Sequence, residues 1–219
     1  MPTVGLICEG PTDRAVLERI LDGYSRGSVT VSPIQPPNPM RPGVDFGGWQ
    51  QVFASIRRKD VSGALAFNDL VIVQVDTDVC EQVGFDVPRR NTAHELTEAE
   101  LTARVCERLY RELAEADPEA DRTRVLLAIC VNELECWLLL HLSDRKPKTT
   151  GCLEAANQAL QKENCPRLGT KDNKHLRAYE DAAKGLRRRP AVDALRNRAP
   201  SLDAFLVQLD DKLAPLLAD

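Results

Sequence analysis

The chain has 219 residues, of which 43% are hydrophobic and 28% are charged, and its formal net charge is −4. This length allows one sizeable hydrophobic core, and the composition is typical of an ordinary globular protein. No apolar segment is long enough to span a membrane and no basic-then-apolar leader opens the chain, which predicts a soluble cytoplasmic protein without a membrane partner.

Charge is unevenly distributed along the chain. Residues 145–200 contain fourteen Lys or Arg against six Asp or Glu, so the remainder is acidic. This asymmetry favours a protein whose acidic residues hold cations while a basic surface attracts a polyanion. Solvated, Arg-rich helices with no ligand are the alternative that charge alone leaves open.

The seven cysteines form no CxxC pair, and Cys8, Cys130 and Cys136 lie inside apolar runs. This pattern predicts reduced thiols in the core rather than a disulfide or zinc framework.

The first predicted strand covers residues 4–8 and ends at a carboxylate, Glu9. A Gly-Pro turn follows, and Thr12 is predicted to cap a helix that begins with Asp13 and Arg14 and is ended by glycines. Glu9 is therefore expected at the carboxyl end of a strand, where open α/β sheets bind ligands.

The next elements alternate between strand and helix. We predict a strand over 29–34, a proline-rich loop over 35–43 and a helix over 50–59. The run 70–75, apolar except at Gln74, is then predicted to be a strand buried on both faces.

This buried strand ends in Asp76 and Asp78, two residues apart. In an extended chain the two side chains leave on the same side and can converge on one cation. Such pairs also form turns, which is the structural alternative.

A polar loop over 79–95 precedes a helix that Thr97 and Glu100 open as a capping box. A strand over 124–131 follows, and then a helix over 132–141. Asn132 is its predicted N-cap, which places Glu133 and Glu135 in the first turn. A dipole role explains Glu133, whereas the apolar neighbours of Glu135 favour a functional one.

Beyond residue 145 the pattern predicts only helices, over 153–162, 175–188, 191–196 and 202–217. A basic turn over 165–175 contains Lys171 and Lys174. The predicted fold is thus an α/β domain over 1–144, with a mostly parallel sheet flanked by helices, and a helical, partly basic C-terminal extension over 145–219 packed on it.

The strands over 4–8, 70–75 and 124–131 are expected to bring together Glu9, Asp76, Asp78 and, just past the last of these strands, Glu135. Clustered carboxylates repel one another, and without a cation at least one would have its pKa raised sharply. A divalent cation removes this conflict, and all-oxygen ligation favours Mg²⁺ or Mn²⁺ over zinc.

These residues resemble a known family. Glu9-Gly10-Pro11-Thr12-Asp13 after one strand, and Asp76-Thr77-Asp78 after a later one, resemble the Toprim domain of type IA and II topoisomerases, bacterial primases, recombination-mediator proteins and OLD-family nucleases. The run 133–141 is similar to a segment of small stand-alone Toprim proteins of the RloB and AbiLii type. Those proteins are associated with bacterial anti-phage defence and are often encoded beside an ABC/SMC-like ATPase.

The resemblance implies a Toprim-like, Rossmannoid fold and a role for each matching residue. Glu9 would act as general acid/base or metal ligand, Asp76 and Asp78 would hold Mg²⁺, and Glu135 would complete the cluster. Asp13 matches an acidic position that some nuclease members use for a metal. Lys171 or Lys174 would stabilise the phosphate, although neither has a motif-level match.

A topoisomerase needs a tyrosine nucleophile, and Tyr24, Tyr110 and Tyr179 lie on ordinary amphipathic helices. A primase needs further template-handling domains. A receiver domain has its acidic pair after the first strand, the reverse of the distribution here.

The favoured function is therefore a metal-dependent nuclease, the effector of a bacterial defence system, with DNA favoured over RNA as substrate. Its backbone contacts would come from Lys184, Arg187, Arg188 and Arg189. A non-catalytic subunit that binds nucleotide or nucleic acid and partners with an ABC/SMC-like ATPase is the alternative, and a homodimer is compatible with both.

Overall fold

The computed structural model describes residues 1–37, 47–144 and 148–218. Its centre is a four-stranded, all-parallel sheet of β1 (Thr3–Ile7), β2 (Thr30–Gln35), β3 (Leu70–Asp76) and β4 (Val125–Cys130). The strands lie in the order β2-β1-β3-β4. The α/β class with a parallel sheet flanked by helices is thus confirmed.

Each face of the sheet is covered by helices, because alternate strand residues belong to two separate hydrophobic clusters. Val71, Val73 and Val75 join the first cluster, whereas Leu70 and Ile72 join the second. The helices on the first face are α2 (Trp49–Arg57), α3 (Asp60–Leu65) and α4 (Glu98–Ala116). The helices on the second face are α1 (Pro11–Ser25), α5 (Glu135–Leu142), α6 (Cys152–Lys162), α7 (Leu176–Ala182), α8 (Arg189–Asp193), α9 (Pro200–Lys212) and α10 (Ala214–Ala218).

The strand order reverses between β1 and β3. From β1 the chain moves outward to β2, then returns through α2 and α3 to β3 on the other side of β1. In doubly wound sheets the crevice at such a reversal, at the carboxyl ends of the strands, is the usual place for a ligand. Glu9 and Asp76 follow or end the two strands that flank this point.

The C-terminal helices form part of the second face rather than an appendage at one end. The rings of Trp137 and Phe205 stack with centroids 5.8 Å apart, and α9 packs on β4. The side chain of Gln208 accepts a hydrogen bond from the Leu127 amide at 2.8 Å and donates one to its carbonyl at 3.0 Å. This pairing covers the outer edge of β4, which would otherwise present free backbone groups.

Several local predictions need correction. A short antiparallel hairpin, β5 (Gly169–Thr170) and β6 (Asn173–Lys174), forms within the predicted basic turn over 165–175, where no strand was expected. Gly10, not Thr12, is the N-cap of α1, since Pro11 already occupies the first helical position. Gly23 lies inside α1 and does not end it.

The helix that contains Glu135 also begins later than predicted. Asn132 has a φ of 72° and therefore lies outside the helix, which starts at Glu135. The capping box of Thr97 and Glu100 at the start of α4 is confirmed. The predicted proline-rich loop falls largely on residues 38–46, outside the described residues.

The expectation that all cysteines are reduced is wrong for one pair. Cys136 and Cys152 form a disulfide across 16 residues of sequence, and five other cysteines are free. Their spacing matches no motif, because the pair meets only through the packing of α5 against α6. Among the helices that the structure describes, none has the length and apolar character needed to cross a membrane.

Candidate metal and phosphate site

Glu9 and Asp76 are joined directly at the carboxyl end of the sheet. The Asp76 amide donates a hydrogen bond of 2.7 Å to Oε1 of Glu9. The parallel pairing of β1 with β3, which sets Ile7 beside Val73, delivers the two acids to the same crevice. The predicted convergence of the first and second acidic motifs is therefore present in the structure.

Gln74 links the same two residues and was not identified from the sequence. Its side-chain oxygen accepts from the Glu9 amide at 3.0 Å, and its Nε2 donates to Oδ1 of Asp76 at 2.9 Å. The side chain is fully buried. The available signal was a single amide side chain inside an otherwise apolar strand, a residue that needs buried hydrogen-bond partners.

Asp13 enters the cluster from the first turn of α1. Its side chain is buried, and Oδ1 has no hydrogen-bond partner. A Cβ atom at Gly10 would lie 2.9 Å from Oδ2 of Asp13, so the glycine makes room for the carboxylate. Burial raises the pKa of Asp13 to about 6, with Lys174 opposing and Glu135 adding to the rise.

Burial also dominates the titration of the two strand-end acids. The pKa of Glu9 is raised to about 8, mainly by desolvation and then by the charges of Asp13 and Asp78, while the hydrogen bond from Asp76 lowers it. The pKa of Asp76 is raised well above its usual value by burial, with Asp13 and Glu9 as the next causes. The acids therefore interact strongly, as the sequence analysis expected of a carboxylate cluster without a cation.

Asp78 lies just past the end of β3, at the rim of the cluster. Its amide donates to the Asn132 carbonyl at 2.9 Å, which ties the end of β3 to the segment before α5. Its Oδ2 accepts from Nζ of Lys171 at 2.7 Å. The Lys171 side chain is 73% exposed and the Asp78 side chain 22% exposed, so this pair faces solvent.

Glu135 is the most deeply buried acid of the cluster, with a side-chain exposure of 0%. Its Oε1 accepts from Nζ of Lys174 at 2.6 Å and from the hydroxyl of Tyr179. Its Oε2 is buried without a hydrogen-bond partner. Tyr179, which the sequence placed on an ordinary helix, is thus part of the site, since α7 packs against α1.

Lys174 is the cation at the centre of this group. Burial opposes its charge, yet Asp13, Glu135 and Asp76 raise the pKa of the ammonium. Lys171 and Lys174 belong to one hairpin, which Asn157 of α6 holds in place. The Asn157 side chain donates to the Gly169 carbonyl at 2.9 Å and accepts from the Leu168 amide at 2.7 Å.

The basic residues predicted to hold nucleic acid lie elsewhere. Arg187 pairs with Asp22 at 3.2 Å. Asp22 lies near the carboxyl end of α1, about 13 Å along the helix from Asp13. Arg189 pairs with Asp193 at 2.9 Å and lies over the ring of Tyr24. Lys184 and Arg188 are exposed. The structure does not bring these four side chains to the acidic cluster.

A different group contains the most closely spaced metal-ligand atoms. Among the residues that the structure describes, one set of three lies within 4.8 Å of one another, namely Glu133, Cys136 and Cys152. The two sulfur atoms are bonded to each other, and Oε1 of Glu133 accepts from the Leu153 amide at 2.9 Å. This set therefore offers no thiolate to a metal.

The oxygen atoms of the acidic cluster are more widely spaced than the three ligand atoms of that set, but their chemistry fits a hard divalent cation better. It offers only oxygen ligands, as Mg²⁺ prefers, and this ion usually retains several waters rather than requiring a closed protein cage. Two buried oxygens, Oδ1 of Asp13 and Oε2 of Glu135, have no hydrogen-bond partner.

No family model, no curated protein and no solved structure matches this chain.

Proposed function

We propose that the protein is a divalent-metal-dependent nuclease that hydrolyses nucleic-acid phosphodiesters. One observation carries the proposal: five carboxylates and two lysines from four separate parts of the chain meet at the reversal point of a parallel sheet, and two of the buried carboxylate oxygens have no partner. Buried charges are costly unless they are paired or hold a ligand, so packing alone explains the arrangement poorly.

The acids Glu9, Asp13, Asp76, Asp78 and Glu135 are the proposed ligands of Mg²⁺ or Mn²⁺. When bound, such an ion neutralises phosphate charge and lowers the pKa of a coordinated water. Lys171 projects from the rim and binds a phosphate oxygen by charge. Glu9, whose pKa burial raises to about 8 in the metal-free site, would serve as the general acid/base where it does not itself hold the metal.

The buried residues hold this machinery in place. Gln74 fixes Glu9 relative to Asp76, and Tyr179 and Lys174 fix one oxygen of Glu135 while the other has no hydrogen-bond partner. Locked side chains of this kind keep the ligands ready for the reaction without further rearrangement.

The wider role is proposed on the resemblance to stand-alone Toprim proteins. It comprises a bacterial anti-phage effector of the cytoplasm, with DNA favoured over RNA as substrate and an ABC/SMC-like ATPase as partner. The alternative is a non-catalytic subunit in which the same acidic site binds nucleotide or nucleic acid without cleaving it.

The test is cleavage of labelled DNA and RNA with Mg²⁺, with Mn²⁺ and with chelator, for the native protein and two variants. Glu9→Gln is expected to lower the rate by about 10²-fold or more. Glu119→Gln, an exposed acid outside the cluster, is the matched control and keeps the native rate. Cleavage that persists in Glu9→Gln, or that ignores chelator, overturns the proposal. Metal-dependent binding without cleavage favours the non-catalytic subunit.

A further inference from the structure

A cleft of about 370 Å³ opens beside the acidic cluster. Three elements form its walls: the segment before α5, the amino end of α6 and the β5–β6 hairpin. The residues that line it include Asp78, Asn132, Glu133, Glu154, Thr170 and Lys171. We call it the nucleoside cleft.

The nucleoside cleft is continuous with the proposed phosphate site, because Asp78 and Lys171 belong to both. Their ion pair, with 2.7 Å between Nζ and Oδ2, stands where the cleft meets the acids. A phosphodiester bound between Lys171 and the carboxylates therefore has its adjoining nucleoside directed toward this cleft. The four basic residues over 184–189 have no such continuity with the site.

The walls of the cleft carry groups that recognise a nucleoside. Glu133 is held in place by the Leu153 amide, and Glu154 pairs with Nη2 of Arg167 at 3.2 Å. Carboxylates accept from the amino groups of bases and from ribose hydroxyls, and a guanidinium donates to base acceptors or stacks on a base. The cleft walls thus carry both hydrogen-bond acceptors and donors.

The size of the cleft limits what it admits. Its volume lies at the low end of the range for small-ligand sites, about 300–1,000 Å³. That space suits one nucleoside rather than a base pair. A base in a duplex would have to leave the stack before it could enter the cleft. Leaving the stack costs free energy, and an unpaired nucleotide avoids that cost.

We propose that the nucleoside cleft holds the unpaired nucleoside next to the scissile phosphate, so that the substrate is single-stranded or locally unpaired nucleic acid. This inference rests on the proposed nuclease function and names its substrate class. Polar contacts in the cleft supply affinity that a base held in a duplex stack does not gain.

The test compares three labelled oligonucleotides, as DNA and as RNA: a single strand, a duplex with one unpaired nucleotide and a full duplex. Cleavage with Mn²⁺ and binding with Ca²⁺ are measured for each. The native protein is expected to prefer the first two over the full duplex by roughly tenfold or more. Thr170→Trp fills the cleft and is expected to abolish this preference, whereas Thr92→Trp, an exposed position outside the cleft, retains it.

Calorimetry measures Mn²⁺ binding as a check on the acidic cluster, and Thr170→Trp is expected to bind Mn²⁺ as tightly as the native protein. Equal cleavage of all three oligonucleotides, or an unchanged preference in Thr170→Trp, overturns the nucleoside cleft while the nuclease stands. If no oligonucleotide is cleaved but the preference in binding is present and Thr170→Trp removes it, the cleft stands and the nuclease falls. A mononucleotide competitor distinguishes a site for free nucleotides from a site for strands. At a site for free nucleotides, the mononucleotide binds as tightly as the oligonucleotide; at a site for strands, it binds more weakly.

Discussion

Lys174 determines the electrostatics of the acidic cluster, because it lies within reach of four of its carboxylates. It pairs with Glu135 at 2.6 Å, and its charge lowers the pKa of Glu9, Asp13 and Asp76. Lys171 pairs with Asp78, at the solvent-exposed rim. The two lysines of one hairpin therefore differ in burial and, with it, in the strength of their interactions.

The first prediction compares Lys174→Met with Lys171→Met in the metal-free protein. Loss of a buried partner leaves Glu135 uncompensated, so Lys174→Met is expected to lower the free energy of unfolding by about 3 kcal/mol. Lys171→Met removes an exposed pair and is expected to cost at most about 1 kcal/mol. Urea denaturation of both variants measures the difference, and equal losses would contradict the central position of Lys174.

The second prediction concerns pH. Glu9 and Asp13 have folded-state pKa values of about 8 and about 6, above the unfolded values of 4.5 and 3.8. The folded state thus binds more protons between these limits, and its stability is highest at acidic pH and decreases as pH rises through 6 and then 8. We expect the metal-free protein to lose of the order of a few kcal/mol between pH 5 and pH 8.

Urea titrations in chelator at several pH values measure this slope, and Glu9→Gln serves as its control. The variant keeps a neutral group at the position, so its stability is expected to change less with pH than that of the native protein. A native protein that becomes more stable from pH 5 to pH 8 without metal would show that these acids ionise without penalty in the fold.

The β5–β6 hairpin is the element that completes the site, and α6 positions it. Asn157 is 1% exposed and satisfies two backbone groups of the hairpin, the Leu168 amide and the Gly169 carbonyl. The disulfide of Cys136 and Cys152 fastens the amino end of α6 to α5, one residue away from Glu135. Two distant segments are thus held against the acids by α6.

The third prediction tests this arrangement with Asn157→Leu. The buried hairpin groups then lack a partner, so we expect faster amide hydrogen exchange over 168–174 and a lower affinity of the site for phosphate-containing ligands. Gln158→Leu changes the neighbouring, exposed residue and is expected to leave the exchange rates of the hairpin unchanged. Unchanged protection in Asn157→Leu would show that other contacts hold the hairpin.

The molecule as a whole is a sheet between two helical layers, and the second layer brings the C-terminal third of the chain to the site. Within that layer, the C-terminal segment meets α1 at Gly23, where a Cβ atom would lie 1.9 Å from the Leu186 carbonyl oxygen and 2.8 Å from the Val192 side chain. The glycine permits this approach of two backbones, which no other residue allows without displacement.

The fourth prediction compares two helical glycines. Gly23→Ala forces Leu186 away from α1 and is expected to destabilise the fold by about 1–3 kcal/mol or more. Gly63→Ala in α3 has open space around the added Cβ and is expected to be neutral or to stabilise by about 0.5–1 kcal/mol. Thermal unfolding measures both, and similar melting temperatures for the two variants would contradict close packing at Gly23.

The sequence alone determined the sheet and its acidic ends. Apolar runs that stop at Glu9 and Asp76 specify buried parallel strands, and such strands place their carboxyl ends on one edge, so the meeting of these acids follows from local pattern. The pattern also placed Asp78 and Glu135 near that edge, whereas Asp13 was expected there only from the resemblance to Toprim nucleases.

Only the tertiary structure decided what surrounds the acids. Gln74 and Tyr179 belong to the site through side-chain contacts, Lys174 is half-buried beside Glu135, and Cys136 is bonded to Cys152. Contacts between residues far apart in sequence depend on how helices pack, which hydrophobic periodicity does not encode. For the same reason the basic run at 184–189, conspicuous in the sequence, lies at the far end of α1 from the acids.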